Sequence, residues 1–306
     1  MRVVHRRNAY LAAAMLMIAM VPAARAQDEH DHGAGREGPR VVERYQWGDA
    51  EGRLMGYYSA ALAFSPVGAP RIASPWNGSL GVELSYLPAL SEAQRSAGFS
   101  KTESTNLLPV IPRPRASLTL PAGFALEASW IPPILAFGVT ANLVSAAISR
   151  PMVLRGNVIV TPRISGTTGS VRGPITCNEE LEERGGGDAI FYAHICHGLE
   201  SEDRFEPVAM SGELVATRII GGRSIAPYAG VGVRHERNTF DVGVRYSDGS
   251  PDPNHPILKL NLTRGYGFAG ASWGGPRRSM LSAELFYAPK SLLTARVQAS
   301  IRVFGS

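Results

Sequence analysis

From about Gly52 to the C-terminus, apolar and polar residues alternate with a period of two. Leu80, Val82, Leu84 and Tyr86 alternate with Ser79, Gly81, Glu83 and Ser85, which sets an apolar face of a strand against a small or charged one. Ala116, Leu118 and Leu120 alternate with Arg115, Ser117 and Thr119. After an Ala122-Gly123 turn, Phe124, Leu126, Ala128 and Trp130 alternate with Ala125, Glu127 and Ser129, as a hairpin partner should. The pattern returns at Val139, Ala141 and Leu143, at Phe240, Val242, Val244 and Tyr246, and at Leu258, Leu260 and Leu262. It is clearest last, where Ala295, Val297, Ala299, Ile301 and Val303 oppose Thr294, Arg296, Gln298, Ser300 and Arg302.

With weaker segments at 52–64, 157–164, 211–219, 225–234, 265–273 and 281–287, the spacing predicts about twelve strands, within a range of 10 to 14. No helix of about twelve residues is expected after the first 26 positions. Turn chemistry at Gly221-Gly222, Asn238-Thr239, Gly274-Gly275-Pro276 and Pro289-Lys290-Ser291 marks the boundaries. Such strands suit an all-β, antiparallel transmembrane β-barrel crossing an apolar layer of roughly 25 Å. A secreted soluble sandwich or lipocalin-like binding barrel would alternate in the same way. Two features favour the bilayer. The apolar faces are Leu, Val, Ala and Phe, with Tyr86, Trp130, Phe240, Tyr246 and Tyr287 near strand ends, as an aromatic girdle requires. The polar faces carry Arg and Gly but almost no Lys, which occurs only 3 times in 306 residues.

Composition excludes other classes. The 33 glycines argue against a long helical protein, since each costs roughly 1 kcal/mol inside a helix. A hydrophobic content of 44% argues against intrinsic disorder. The net charge of +5 is mostly an address. Arg2, Arg6 and Arg7 precede the apolar run Leu11–Ala23, and Ala24-Arg25-Ala26 supplies small residues for cleavage, the pattern of a secretory signal peptide over 1–26. Removing its four arginines from 31 basic residues leaves 27 against 26 acids and no surplus to recruit nucleic acid. Residues 27–50 read as a flexible segment and 51–306 as the barrel, with an acidic loop over 172–207. Nine acids and two bases lie between Cys177 and Glu206.

In these general features the chain resembles Gram-negative outer-membrane β-barrel proteins over roughly residues 41–304. The resemblance implies an outer-membrane location, contact with membrane lipid and lipopolysaccharide, and a small porin or passive transporter of an unknown small solute. A structural or adhesive surface barrel is the alternative. Such proteins commonly end on an aromatic residue, whereas Phe304 is followed here by Gly305-Ser306. Strand parity also conflicts with a periplasmic start when the loops at 88–114 and 172–207 lie outside, unless a further strand exists near Val41–Trp47.

Within a barrel, Glu83, Arg115, Glu127, Glu213, Asp241, Arg245, Lys259, Glu284, Arg296 and Arg302 are expected in the lumen, where opposite charges either close it or line a wet passage. Cys177 and Cys196, exported together, most simply form one disulfide. Zinc held by both cysteines with His194 and His197 is the sharper alternative, though adjacent Cys196-His197 ligands are awkward. His30-Asp31-His32 could wrap a divalent ion, and Asp248, Asp252 and Asn254 could offer oxygens to calcium, but neither spacing matches a defined metal loop. No zinc-protease motif or phosphate loop is present. His235, Glu236 and Ser247 form the single neighbourhood that hints at hydrolysis. No enzyme activity and no cofactor are expected.

Overall fold

The computed structural model of the protein describes residues 40–70, 74–95, 109–136, 138–153, 156–220, 224–252, 254–274 and 279–305. The expected signal peptide, the His30-His32 pair and the expected Gly221-Gly222 and Gly275-Pro276 turns lie outside the described residues. The sheet runs through β1 (Val42–Tyr45), β2 (Gly78–Tyr86), β3 (Val110–Thr119), β4 (Ala125–Ala136), β5 (Val139–Ser149), β6 (Met152–Val153), β7 (Val158–Gly173), β8 (Asp203–Arg218), β9 (Ile225–Asp241), β10 (Ile257–Gly274), β11 (Ser279–Ala288) and β12 (Leu292–Phe304). The helices are α1 (Ala50–Leu62), α2 (Glu92–Arg95), α3 (Glu180–Arg184) and α4 (Gly186–His194).

Ten of the strands close on themselves. Each is antiparallel to its neighbours, β12 returns to β2 through Val297↔Leu84 and Ile301↔Leu80, and β9 joins β10 along its length. The two-residue β6 continues the β5 edge along β7, and β1 pairs in parallel with the first four residues of β10. Because ten is even, β2 begins and β12 finishes at the same end of the barrel. Short connections at 119–125, 149–158, 218–225 and 274–279 share that end. The opposite end carries the long connections 86–110, 173–203 and 241–257.

Outside, period two produces a continuous apolar belt. Leu80, Val82, Leu84, Trp130, Ile164, Met210, Leu214, Val231, Val233, Leu281, Leu285, Val297 and Ile301 are all exposed. An antiparallel sheet without edges can carry such a surface only where the surroundings are themselves apolar.

The ring of ten lies within the expected 10 to 14, and it falls below the central count of about twelve for physical reasons. Segments 225–234 and 240–246 do not form two strands: β9 runs unbroken to Asp241, with Asn238 buried inside it instead of turning. Segments 258–263 and 265–273 are likewise one strand, the 18-residue β10. Segment 52–64, expected as a strand, is the 13-residue α1. Its two glycines explain both the misreading and the helix. A Cβ at Gly52 would lie 2.0 Å from the Gln46 carbonyl oxygen, and one at Gly56 2.0 Å from the Trp47 ring, so only glycine lets the preceding turn fold back over the helix. Gly52, Met55, Gly56, Tyr57, Ser59, Ala60, Ala61 and Leu62 are all buried, leaving no polar stripe to announce an amphipathic helix.

The helix lies inside the barrel. From Arg40 the chain starts at the long-loop end, where β1 meets Ile257–Leu260, passes through α1 against β8, β9, β10 and β12, and continues down the lumen. The Phe64 amide donates to Thr167, the Gly68 amide to the Tyr228 hydroxyl and the Ala69 amide to Ser272 before the chain leaves at the short-turn end and enters β2. Threading thus brings Arg40 to the long-loop end, so the described chain does not begin on the expected periplasmic side. Val42–Tyr45 is a strand, but it does not join the closed ring.

Candidate functional site

The lumen has three storeys. Near the long-loop end α1 packs Met55, Tyr57, Ala60, Ala61 and Leu62 against Ile111, Val139, Leu143, Val171, Phe205, Leu260 and Leu292 of the wall. This apolar storey reverses the facing expected for three segments. Val139 and Leu143 point inward, as do Leu260, Leu262 and Phe240, because at this height the strands cover a helix. Two charge assignments reverse with them. Lys259 is exposed on the outer face of β10, and Asp241 lies on the outer side of β9, paired with Arg40 at 2.8 Å. Arg245 lies beyond the end of β9 in the following connection, where it binds Glu202 at 2.9 Å and the Glu200 carbonyl at 3.0 Å, so it too lies outside the lumen.

The middle storey is ionic. Arg115 reaches Glu83 at 3.1 Å, Glu127 at 2.5 Å and Gln298 at 2.5 Å. Arg163 binds Glu213 through Nε at 2.5 Å, Arg264 grips Glu236 at 2.5 to 2.9 Å, and Arg296 meets Glu284. The Tyr266 hydroxyl donates to Glu213 at 2.5 Å and the Tyr228 hydroxyl to Glu284 at 3.0 Å. Each carboxylate is inside because the strand period puts it there. Each survives there because a guanidinium satisfies it, joined by a hydroxyl at Glu83, Glu213 and Glu284, since an unpaired buried charge costs several kcal/mol.

The same arginines hold the threaded segment. Arg264 donates to the Gly56 carbonyl at 2.7 Å, Arg113 to Leu62 at 2.9 Å, Arg296 to Ser65 at 3.1 Å and Arg115 to Val67 at 3.5 Å. Leu62 ends α1 and Ser65 and Val67 follow it, so their carbonyls have no strand or helix partner and the wall supplies one. Aromatic faces hold several of the guanidiniums in place: Arg115 lies 5.1 Å from the Phe64 ring centre, Arg234 4.5 Å from Tyr266, and Arg296 4.6 Å from Phe286.

The third storey is an open polar cleft of about 140 Å³ at the short-turn end, lined by Ser79, Ser117, Glu127, Ser149, Ser300 and Arg302 beneath Val67–Pro70. Glu83, Arg115, Glu213, Glu284 and Arg296 thus meet in the ionic storey, Glu127 bridges it to the cleft, and Arg302 stands in the cleft.

Sequence reading missed Arg113, Arg163, Arg234, Glu236 and Arg264. Arg113 and Arg163 stand beside prolines that interrupt the apolar alternation, as Pro112-Arg113-Pro114 and Pro162-Arg163. Arg234 and Glu236 follow from extending Gly230 and Gly232 through His235 with unchanged period. Arg264 shares one face with Leu260, Leu262 and Tyr266, a face hidden by the expectation that leucines look outward.

Outside the lumen, Cys177 and Cys196 are joined as a disulfide with Cα atoms 5.7 Å apart, both buried with Leu181, Tyr192, Val242 and Val244. Zinc at these thiols is thereby overturned. Glu179, Glu180, Glu182 and Glu183 belong to α3 and the residue before it, whereas Asp203 and Glu206 lie in β8. Asp203 is buried and accepts the Gly243 amide at 2.8 Å and the Ser201 hydroxyl at 2.7 Å, tying the loop base to its neighbour. Asp248 accepts the Ser250 amide and hydroxyl, and Asp252 the Asn254 amide, so both cap turns. His235 faces outward against Thr263 at 2.9 Å while Glu236 faces inward, so the period separates the hydrolytic neighbourhood.

No family model matches the chain, and no curated protein matches it. Among solved structures it is similar to an outer membrane channel from Pseudomonas putida, at 10% identity over 78% of this chain and 100% of that one, with a TM-score of 0.44. It is also similar to the outer membrane protein Ail of Yersinia pestis, at 9% identity over 74% and 99% of the two chains, TM-score 0.30. The KdgM porin gives 9% identity over 74% and 99%, TM-score 0.30. The closed antiparallel ring itself rests on the strand pairing described above.

Proposed function

We propose that the protein is an outer-membrane barrel that passes small solutes when residues 50–70 move out of their seat. The observation that carries this reading is the threaded segment itself. It fills a lumen whose middle storey is otherwise charged and whose short-turn end is already an open polar cleft. A wall meant only as a scaffold gains nothing from burying four carboxylates, whereas a wall that is wet in a second state needs them. The exposed belt supports lipid contact, and the short-turn end then faces the periplasm, as in barrels of this kind.

The test is conductance in planar bilayers. The full chain should be closed, and Met55→Asn with Gly56→Leu should open it, because the first buries an unpaired amide in the apolar storey and the second drives a side chain into Trp47. Discrete current steps at least tenfold more frequent than in the parent are expected. A heat-modifiable, folded variant as silent as the parent would overturn the reading. The exposed Ile190 and Ile195 on the disulfide loop favour surface adhesion as a second reading, tested by binding assays with and without 178–195.

A further inference from the structure

We infer that the arginines gripping the threaded segment are the solute-binding groups of the passage, and that the solute is a small anion. This rests on the gated-passage reading. In the ionic storey Arg113, Arg115, Arg163, Arg234, Arg264 and Arg296 face five carboxylates, and the pairs described above occupy four of the six. Arg113 and Arg234 make no salt bridge within 4.0 Å among the described residues. They are 2% and 1% exposed. Nε and Nη1 of Arg113 and both terminal nitrogens of Arg234 have no hydrogen-bond partner among the described residues. Among the described residues the hydrogen bond of Arg234 runs to Ser211, at 2.9 Å, and its guanidinium is held over Tyr266 and Phe286.

A buried guanidinium with free N–H groups is a site for negatively charged oxygen or halide, since an anion supplies the hydrogen bonds that aromatic faces cannot. The threaded segment already shows the geometry in miniature. Its carbonyl oxygens at Gly56, Leu62, Ser65 and Val67, each with partial negative charge, occupy positions that carboxylate or phosphate oxygens would take when the segment leaves. The segment therefore behaves as a tethered substitute for the solute. Withdrawal frees the Arg113 donor that now holds Leu62, beside the idle donors of Arg234.

The experiment uses the full chain carrying Met55→Asn and Gly56→Leu, neither of which adds charge, and potassium chloride as the probe. Under a tenfold salt gradient the reversal potential should report chloride permeating severalfold faster than potassium. Adding Arg113→Gln and Arg234→Gln should bring the ratio to one or below while current persists, and Arg113→Lys with Arg234→Lys should retain the preference. A conducting protein that prefers potassium or neither ion, or one whose ratio ignores both glutamines, overturns the anion assignment and leaves the passage standing. A folded but silent protein overturns the passage and the assignment with it.

Discussion

Arg264 offers a direct measure of how firmly the lumen is closed. It binds Glu236 with two nitrogens, donates to the Gly56 carbonyl at 2.7 Å and lies 5.5 Å from the Trp47 ring centre. Arg264→Met alone would leave Glu236 fully buried without a cation and damage the wall itself. Pairing it with Glu236→Gln removes that charge, and making the change in a Ser291→Ala background removes its other wall contact among the described residues, so the remaining loss belongs to the segment. A hydrogen bond from a charged donor contributes about 1.5 to 3 kcal/mol and a cation over an indole about 0.5 to 2. Together they come to roughly 2 to 5 kcal/mol, a factor of about 30 to several thousand in the ratio of displaced to seated segment. Amide hydrogen exchange in detergent micelles reads this ratio. Exchange across α1 should accelerate by that factor while β11 and β12 stay protected. Unchanged α1 protection, or acceleration spread evenly over the barrel, would refute the claim that arginine-to-carbonyl ties hold the segment in place.

Three further outcomes are expected. Replacing Cys177 and Cys196 with serine should loosen the 173–203 connection by on the order of 3 kcal/mol, seen as proteolysis within α3 and α4, with the heat-modifiable barrel intact. A cysteine at Val41 should be labelled by an impermeant maleimide from the same side as one at Glu183, and one at Ala122 from the opposite side; labelling of Val41 with Ala122 would contradict the threading direction. Burial works against ionising Asp252, but the Asn254 amide, the Tyr246 hydroxyl and His255 outweigh it and hold its carboxyl below the ordinary range. A depressed folded value means the turn is fully supported above the unfolded value of about 4 and loses support as pH falls through the depressed one. The Asn254 amide chemical shift should therefore move below about pH 4, and a midpoint at or above that value would count against the turn geometry.

The outer wall was legible because lipid-facing strands obey one rule over their whole length. Leu80 to Tyr86 and Ala295 to Val303 lie with the facing their alternation predicts. The rule failed where a second apolar partner stood inside. Val139, Leu143 and Leu260 alternate as regularly as Leu80 and Val82, yet they cover α1, and period two cannot say which side of a wall is greasy. Lys259 and Asp241 were misplaced for that reason alone. The helix itself was illegible because its small residues are chosen for the space between Trp47 and the wall, and Gly56 reads locally as a helix breaker. Glu83, Glu213, Glu284, Arg115 and Arg296 needed no such knowledge, since their strands carry polar residues inward at mid-height.

Threading also fixes an order of assembly. The seam between β12 and β2 joins the two ends of the ring, and residues 64–69 bind wall positions more than 95 residues away on β7, β9 and β10. Once that seam is shut, a chain that enters at one mouth and leaves at the other cannot be inserted sideways. Insertion from the side therefore requires the seam to be the last contact made, with the interior segment laid into an open, crescent-shaped sheet beforehand. The contacts that close the lumen in the finished protein thus double as a checkpoint in its making, and a variant that weakens them is expected to produce empty rings as well as open ones.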